Sequence, residues 1–124
     1  MKKFDTKNAP AAIGPYSQAI EHEGIIYVSG QLPIDPAADG FSQGGIAELT
    51  RQSIKNISAI LEEAGSDIGK VMKTTIYLQD MNDFAKVNEV YAEYFGESMP
   101  ARACVQVAAL PKGAKIEIEA VAYR

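Results

Sequence analysis

The sequence predicts an α/β (α+β) fold, a two-layer sandwich in which two helices cover one face of a mixed sheet of about five or six strands. Apolar residues recur at helical spacing in two segments, 46–64 and 83–95. The segments around them are short and rich in β-branched and aromatic residues, which favours strands. A chain of 124 residues suits one domain, 1–124, with its elements in the order strand, strand, strand, helix, strand, helix, strand, strand.

The N-terminal part of the chain predicts the first three strands. A short extended segment at 3–6 leads into a proline-containing loop at 9–15. The stretch YSQAIEHEGIIYVSGQLP then predicts two strands joined by a turn at Glu23-Gly24. A loop that contains proline and glycine follows from 33 to 45 and leads into the first helix.

Two amphipathic helices and the strand between them come next. The first helix is predicted over 46–64 and ends at Gly65. VMKTTIYLQ predicts a strand, and NDFAKVNEVYAEYFG predicts a second helix with Asn82 or Asp83 as its N-cap and Gly96 as its stop. The side chains expected to face inward are Ile46, Leu49, Ser53, Ile57, Ile60, Leu61 and Ala64 in the first helix and Phe84, Val87, Val90, Tyr91 and Tyr94 in the second.

The stretch ARACVQVAALPKGAKIEIEA, residues 101–120, predicts two strands joined by a Pro-Lys-Gly turn. Successive strand side chains point to opposite faces of a sheet, so each strand has one apolar side. The other side carries Arg102, Cys104 and Gln106 in the first strand and Glu117 and Glu119 in the second. If the strands pair as a hairpin, or lie close in one sheet, Arg102 and Glu117 share one face.

The sheet face that the helices leave uncovered is expected to meet other copies of the chain. Alternation divides the strand at 71–78 into two sides, and both are partly apolar. A sheet with one face in water needs apolar residues on the other face only. The two sides are Val71, Thr75 and Tyr77, and Met72, Thr74, Ile76 and Leu78. A closed cyclic oligomer is therefore predicted.

Composition excludes several classes of function. The net charge of −4 and the scattered basic residues argue against nucleic-acid binding, which depends on clustered lysine and arginine. No segment approaches the roughly 20 apolar residues of a membrane-spanning helix, and the N-terminus does not resemble a signal peptide. A single cysteine cannot form an internal disulfide, so a reducing, cytoplasmic location is expected.

Few residues are candidates for chemistry. His22, the only histidine, lies beside a turn and reads as a surface residue, and one histidine with one cysteine predicts no metal site. Arg102 suits bidentate capture of a small carboxylate, and Glu117 suits activation of a water molecule. A simple cross-strand ion pair between these two is the alternative. Cys104 lies next to these two residues, and its alternative interpretation is a small buried apolar residue.

Several segments, taken in order, resemble the reactive intermediate deaminase family, RidA (YjgF/YER057c/UK114). They are GPYSQAI, YVSGQLP, TRQSIKNI, KTTIYLQDMNDFAKVNEVYAEYF and PARACVQVAALPKGAKIEIEA. The most specific part is Pro100-Ala101-Arg102 followed fifteen residues later by Glu117. The resemblance implies a chorismate-mutase-like fold and a homotrimer in which the sheets form a central barrel, with clefts between subunits.

The same resemblance implies a reaction without a cofactor. Enamines and imines such as 2-aminoacrylate or 2-iminobutanoate, released by pyridoxal-phosphate-dependent dehydratases, are hydrolysed to 2-oxo acids and ammonia. Carried over to this chain, Arg102 anchors the substrate carboxylate and Glu117 activates the water. The residues implied in substrate binding are Tyr16, Ser29, Gly30 and Cys104, with Phe84 and Asn88 of the second helix as further candidates.

Two other functions stay open from the sequence. A non-catalytic module that binds 2-oxo acids or a related metabolite and regulates a partner would still need Arg102. Ribonuclease or translation-inhibitor activity, known among relatives of this family, is disfavoured by the acidic charge balance and the absence of a basic patch.

Overall fold

The computed structural model describes residues 1–124 and has eight strands and two α-helices. The elements are β1 (Lys2–Phe4), β2 (Ala19–His22), β3 (Ile25–Gln31), β4 (Ile34–Asp35), β5 (Gly40–Phe41), α1 (Ile46–Glu63), β6 (Val71–Leu78), α2 (Phe84–Phe95), β7 (Ala101–Gln106) and β8 (Ile116–Tyr123). Six strands form one sheet in the order β1-β2-β3-β8-β6-β7. Its neighbours are antiparallel except β6 and β7, which are parallel, so the predicted mixed sheet is confirmed.

Both helices lie on the same face of this sheet. α1 packs against β3, β8 and α2, and α2 reaches the sheet through a 2.7 Å hydrogen bond between Tyr91 Oη and Thr74 Oγ1 of β6. The fully buried side chains between the layers include Ile26, Ile76 and Ile118 from the sheet and Ile57, Leu61 and Val87 from the helices. The predicted two-layer sandwich, with its second sheet face uncovered, is confirmed.

The predicted turn at Glu23-Gly24 joins β2 and β3. Both residues have positive φ, 52° and 81°, and His22 pairs with Ile25 across the turn. Two consecutive residues with positive φ give a tight hairpin whose twist matches that of the strands, and glycine adopts this conformation without strain.

The helix α1 begins and ends within one residue of its predicted bounds. Gly65 follows it with a φ of 79°, and the Ser66 N–H donates to the Leu61 carbonyl at 2.9 Å. This is a Schellman motif, in which glycine provides the left-handed residue that ends the helix. Neither α1 nor any other helix is long and apolar enough to cross a membrane.

The start of α2 differs in detail from the prediction. Asp83 occupies the N-cap position but makes no capping hydrogen bond with its side chain. The Asp80 carboxylate instead accepts from the Asn82 N–H at 2.9 Å, at the start of a short 3-10 turn that leads into α2. Gly96 follows the last helical residue, as predicted. The aspartate that organises this entry therefore lies one turn before the predicted cap.

Two predicted segments need correction. The predicted loop at 33–45 contains the short hairpin of β4 and β5, whose strands of two residues are too short for an alternation pattern. In β6 the register shifts between Val71 and Lys73. Val71 is consequently buried and Met72 exposed, so the predicted alternation holds only from Thr74 onward.

The strands β7 and β8 do not form a hairpin. β6 lies between them and pairs with β7 in parallel and with β8 in antiparallel fashion. The Pro-Lys-Gly segment forms a short 3-10 turn at Pro111–Gly113 in the connection that crosses from the edge strand to the middle of the sheet. The two strands thus lie close in one sheet, the second of the two predicted arrangements.

Candidate functional site

The first candidate site is a cavity of about 550 Å³ at the end of the sheet where β3 and β8 meet the N-terminal loop. Four of the residues predicted in the site line it: Tyr16, Ser29, Gly30 and Glu117. Lys112, from the turn before β8, lines the same cavity and is its only cationic residue. The structure therefore brings together one acidic side chain, one lysine and two hydroxyl groups.

Glu117 is half-buried at this cavity, on the open face of β8. Burial raises the pKa of its carboxyl group, and the negative charge of Glu119 raises it further. None of the salt bridges of the chain includes Glu117, so no cation offsets these effects. A carboxylate with a raised pKa is a stronger base than a solvated one.

The Glu117 side chain packs directly against the backbone at Gly30. A Cβ atom at this position would lie 2.8 Å from Glu117 Cδ and closer still to Oε2. Separations under 3 Å are sterically forbidden for carbon, so any side chain here would displace the carboxylate. The absence of a side chain at Gly30 thus allows the backbone of β3 and the carboxylate of β8 to approach closely.

Hydrogen bonds fix the N-terminal loop over this cavity. The buried Gln18 side chain accepts from the Thr6 N–H at 2.8 Å and donates to the Pro10 carbonyl at 2.8 Å. Ser29 Oγ donates to the Ser17 carbonyl at 2.6 Å. Tyr16 remains 54% exposed beside the opening, so its ring is available to a ligand.

A second group of predicted residues lies where β7 meets α2. Arg102 donates from Nη1 to Asn88 Oδ1 at 2.7 Å. Its guanidinium carbon lies 4.8 Å from the centroid of the Tyr91 ring and 5.5 Å from that of Phe84. Two aromatic faces and one amide thus hold an exposed guanidinium group whose remaining donors are free for an anion.

Arg102 and Glu117 lie on opposite faces of the sheet, contrary to the prediction that they share one face. Thr74 of β6 is in register with Arg102, and Tyr77 of β6 is in register with Glu117. Thr74 bonds to Tyr91 in the helix layer, whereas Tyr77 points to the uncovered side. The prediction was wrong because it matched the two strands by their apolar sides alone; β6 lies between them, and its pairing sets the face of each strand independently.

Cys104 lies on the helix side of β7, in register with Ile76, and packs against the core. Burial raises the pKa of its thiol, and the nearby Arg102 charge offsets this only in part. The thiol therefore stays protonated at neutral pH and is a poor nucleophile. β7 is an edge strand, so some of its backbone N–H and C=O groups have no partner strand and can bind a ligand.

The remaining predicted features are peripheral. His22 is exposed and lies 3.6 Å from Glu23 at the β2–β3 turn, as expected of a surface residue. No three histidine, cysteine, aspartate or glutamate side chains are close enough to hold a metal ion. Sequence analysis did not single out Lys112, Tyr77 or Glu119 for this site. Glu119 had a signal, since it lies two residues beyond Glu117 and must share its face.

Known proteins are similar to this chain over almost its whole length. The family model described as Endoribonuclease L-PSP matches residues 6–124. A RutC family protein of Pyrococcus horikoshii is 58% identical over 119 residues, covering 96% of this chain and 94% of that protein. The human protein named 2-iminobutanoate/2-iminopropanoate deaminase is 55% identical over 121 residues, covering 98% and 88%.

Among solved structures, the crystal structure of E. coli TdcF with bound serine superposes with a TM-score of 0.95 at 42% identity, covering 100% of this chain and 99% of that one. The sequence and structure matches therefore cover the chain almost from end to end. The chain belongs to the YjgF/RidA family, which the Endoribonuclease L-PSP model describes.

Proposed function

We propose that the protein is a hydrolytic deaminase of 2-imino acids and their enamine forms, such as 2-aminoacrylate, 2-iminopropanoate and 2-iminobutanoate. In this proposal it acts in the cytoplasm on by-products of pyridoxal-phosphate-dependent dehydratases. The observation that carries the proposal is the Glu117 carboxylate, half-buried, unpaired by any cation and open to a cavity of about 550 Å³. The deaminase name of the human relative and the serine bound to TdcF support it.

The chemistry needs an anion anchor and a base. The guanidinium group of Arg102 binds the substrate carboxylate through two parallel hydrogen bonds. Asn88 and the rings of Phe84 and Tyr91 already hold this group, so little side-chain freedom is lost on binding. The substrate is thereby oriented with its C=N carbon facing the base.

Glu117 takes a proton from a water molecule, and the water oxygen forms a bond to the C=N carbon as the π electrons move to nitrogen. Glu117 returns this proton to the nitrogen, which gives the carbinolamine. The hydroxyl proton then passes to the nitrogen, the C–N bond breaks and ammonia leaves, and the C–O bond becomes the carbonyl of the 2-oxo acid. One water is consumed and one ammonia released. Tyr16, Ser29, Gly30 and the backbone of Cys104 form the walls of this site.

A complete site in this proposal needs two copies of the chain. Arg102 and Glu117 lie on opposite faces of one sheet, so the anchor of one subunit must face the base of its neighbour. Such a head-to-tail contact closes into a ring when the rotation allows it, and in this proposal the ring is the homotrimer with three inter-subunit clefts that the family resemblance implies. The uncovered sheet face supplies apolar surface for the contact, including Tyr27 and Val105.

Arg102→Ala is expected to lower kcat/KM for imine hydrolysis by about 10- to 150-fold, because hydrogen bonds to a charged group contribute about 1.5–3 kcal/mol. The assay follows 2-oxo acid and ammonia release while a serine or threonine dehydratase generates 2-aminoacrylate in situ. Arg51→Ala is the matched control, since Arg51 bonds to Glu93 on the helix layer at 3.0 Å and lines neither site. Equal rates for wild type and Arg102→Ala would contradict the role of Arg102, and equal rates no faster than the uncatalysed reaction would favour a module that binds 2-oxo acids without turnover.

Gly30→Ala is expected to reduce kcat by displacing the Glu117 carboxylate, with little change in the free energy of unfolding. The new methyl group meets the far end of a flexible side chain, which can rotate away. Urea unfolding and steady-state kinetics together measure the two effects. Gly40→Ala is the control, because a Cβ atom there meets only the Ala38 carbonyl at 4.0 Å. An unchanged kcat in folded Gly30→Ala would show that Gly30 does not position Glu117.

A further inference from the structure

A second carboxylate lies on the open face of β8 beside Glu117. Glu119 follows two residues later and is also half-buried. On the neighbouring strand β6, Tyr77 lies opposite Glu117 and Thr75 lies opposite Glu119. The Tyr77 hydroxyl donates to Glu119 Oε1, so its side chain reaches diagonally from the level of one glutamate to the other.

The other groups facing this pair leave the charge of Glu119 uncompensated. From β6, Lys73 Nζ donates to Thr75 Oγ1 at 3.3 Å and forms no ion pair with Glu119. From β3, Tyr27 lies farther along the face, opposite Val121. The edge strand β7 contributes no titratable side chain to this face; the cavity beside Glu117 contributes Tyr16 and Lys112.

We propose that Glu119 and Tyr77 form a positioning pair, which holds a negative charge beside Glu117 and makes Glu117 a stronger base than an isolated glutamate. The inference rests on the proposed function, since it assigns these two residues to the base of that reaction. Neither residue lines the cavity beside Glu117. The pair acts through Glu117: the hydrogen bond from Tyr77 keeps the Glu119 carboxylate from turning away from Glu117.

Electrostatics agree with this geometry. The pKa of Glu117 is raised first by burial and then by the charge of Glu119. The pKa of Tyr77 is raised first by its hydrogen bond to Glu119, which indicates that the phenol stays protonated as a donor. A base is active above its pKa, so a raised pKa places the acid limb of the rate profile at higher pH. Removing the Glu119 charge must therefore move that limb to lower pH.

The test compares wild type, Glu119→Gln and Tyr77→Phe in two measurements. One is the pH profile of kcat/KM across its acid limb. The other is the titration of the Glu117 carboxyl group by carbon NMR in the resting protein, with the signal assigned by Glu117→Gln. In Glu119→Gln both the limb and the NMR midpoint are expected to move to lower pH, and the plateau rate to fall by less than the roughly hundredfold minimum for losing a general base. Tyr77→Phe is expected to move both in the same direction by a smaller amount.

Glu63→Gln is the control, because it removes the same charge from an exposed position on α1 and should move neither midpoint. An unchanged NMR midpoint in folded Glu119→Gln would overturn the positioning pair. If wild type does not hydrolyse imines, the proposed function fails, and the NMR midpoint alone decides whether Glu119 acts on Glu117.

Discussion

Glu117→Gln is expected to lower kcat for imine hydrolysis by about 100- to 10,000-fold, the usual contribution of a general base. Glutamine has nearly the same shape as glutamate and fits beside Gly30, but it cannot accept a proton from water. KM should change little, because the carboxylate anchor Arg102 is untouched. Steady-state release of 2-oxo acid from enzymatically generated 2-aminoacrylate measures the effect.

A binding measurement separates loss of the base from loss of the site. Calorimetric titration with 2-oxobutanoate, a stable 2-oxo acid, should give similar affinity for wild type and Glu117→Gln. Glu63→Gln again serves as the charge-matched control and should keep full activity. A kcat within a few-fold of wild type in Glu117→Gln would exclude this carboxylate as the base.

Mixing two impaired variants is expected to restore activity. When Arg102→Ala and Glu117→Gln chains are refolded together in equal amounts, some sites combine an intact arginine from one chain with an intact glutamate from its neighbour. In random rings each intact contribution occurs with probability one half, so about one quarter of the sites are complete. The mixture should therefore regain about a quarter of the wild-type kcat/KM per site, although neither variant alone is active at that level.

The recovery has an internal control. An affinity tag on one variant should retain the untagged variant, which proves that mixed assemblies formed. Each variant refolded alone should keep only its own low residual activity. Mixed assemblies without recovered activity would mean that Arg102 and Glu117 act within one chain, and the shared site would then be wrong.

The helices and most strands could be predicted because their signals are local. Apolar spacing defined α1 to within one residue, and the Glu23-Gly24 turn defined the β2–β3 hairpin. Strand order could not be predicted in this way, because alternation indicates which residues of a strand share a face but not which strands are neighbours. The insertion of β6 between β7 and β8 was therefore one of two open arrangements.

The candidate site was predictable in its parts and not in its assembly. Tyr16, Ser29 and Gly30 came from the family resemblance and Glu117 from strand alternation, and all four line one cavity. The resemblance also named Asn88 and Phe84, which both contact Arg102. The prediction that Arg102 and Glu117 share one sheet face failed, because the face of each residue depends on the register of its strand with β6. The bulge at the start of β6 is likewise invisible in a sequence of β-branched residues.

The opposite placement of Arg102 and Glu117 has a consequence for the life of a newly made chain. In the proposed mechanism a lone chain has no complete site, so hydrolytic activity begins only when folded copies meet. Catalytic output then depends on protein concentration as well as on chemistry, and a substitution far from either residue can silence the enzyme by weakening subunit contact. Natural selection on the reaction would therefore act on the uncovered face of the sheet as well as on the residues that bind the substrate.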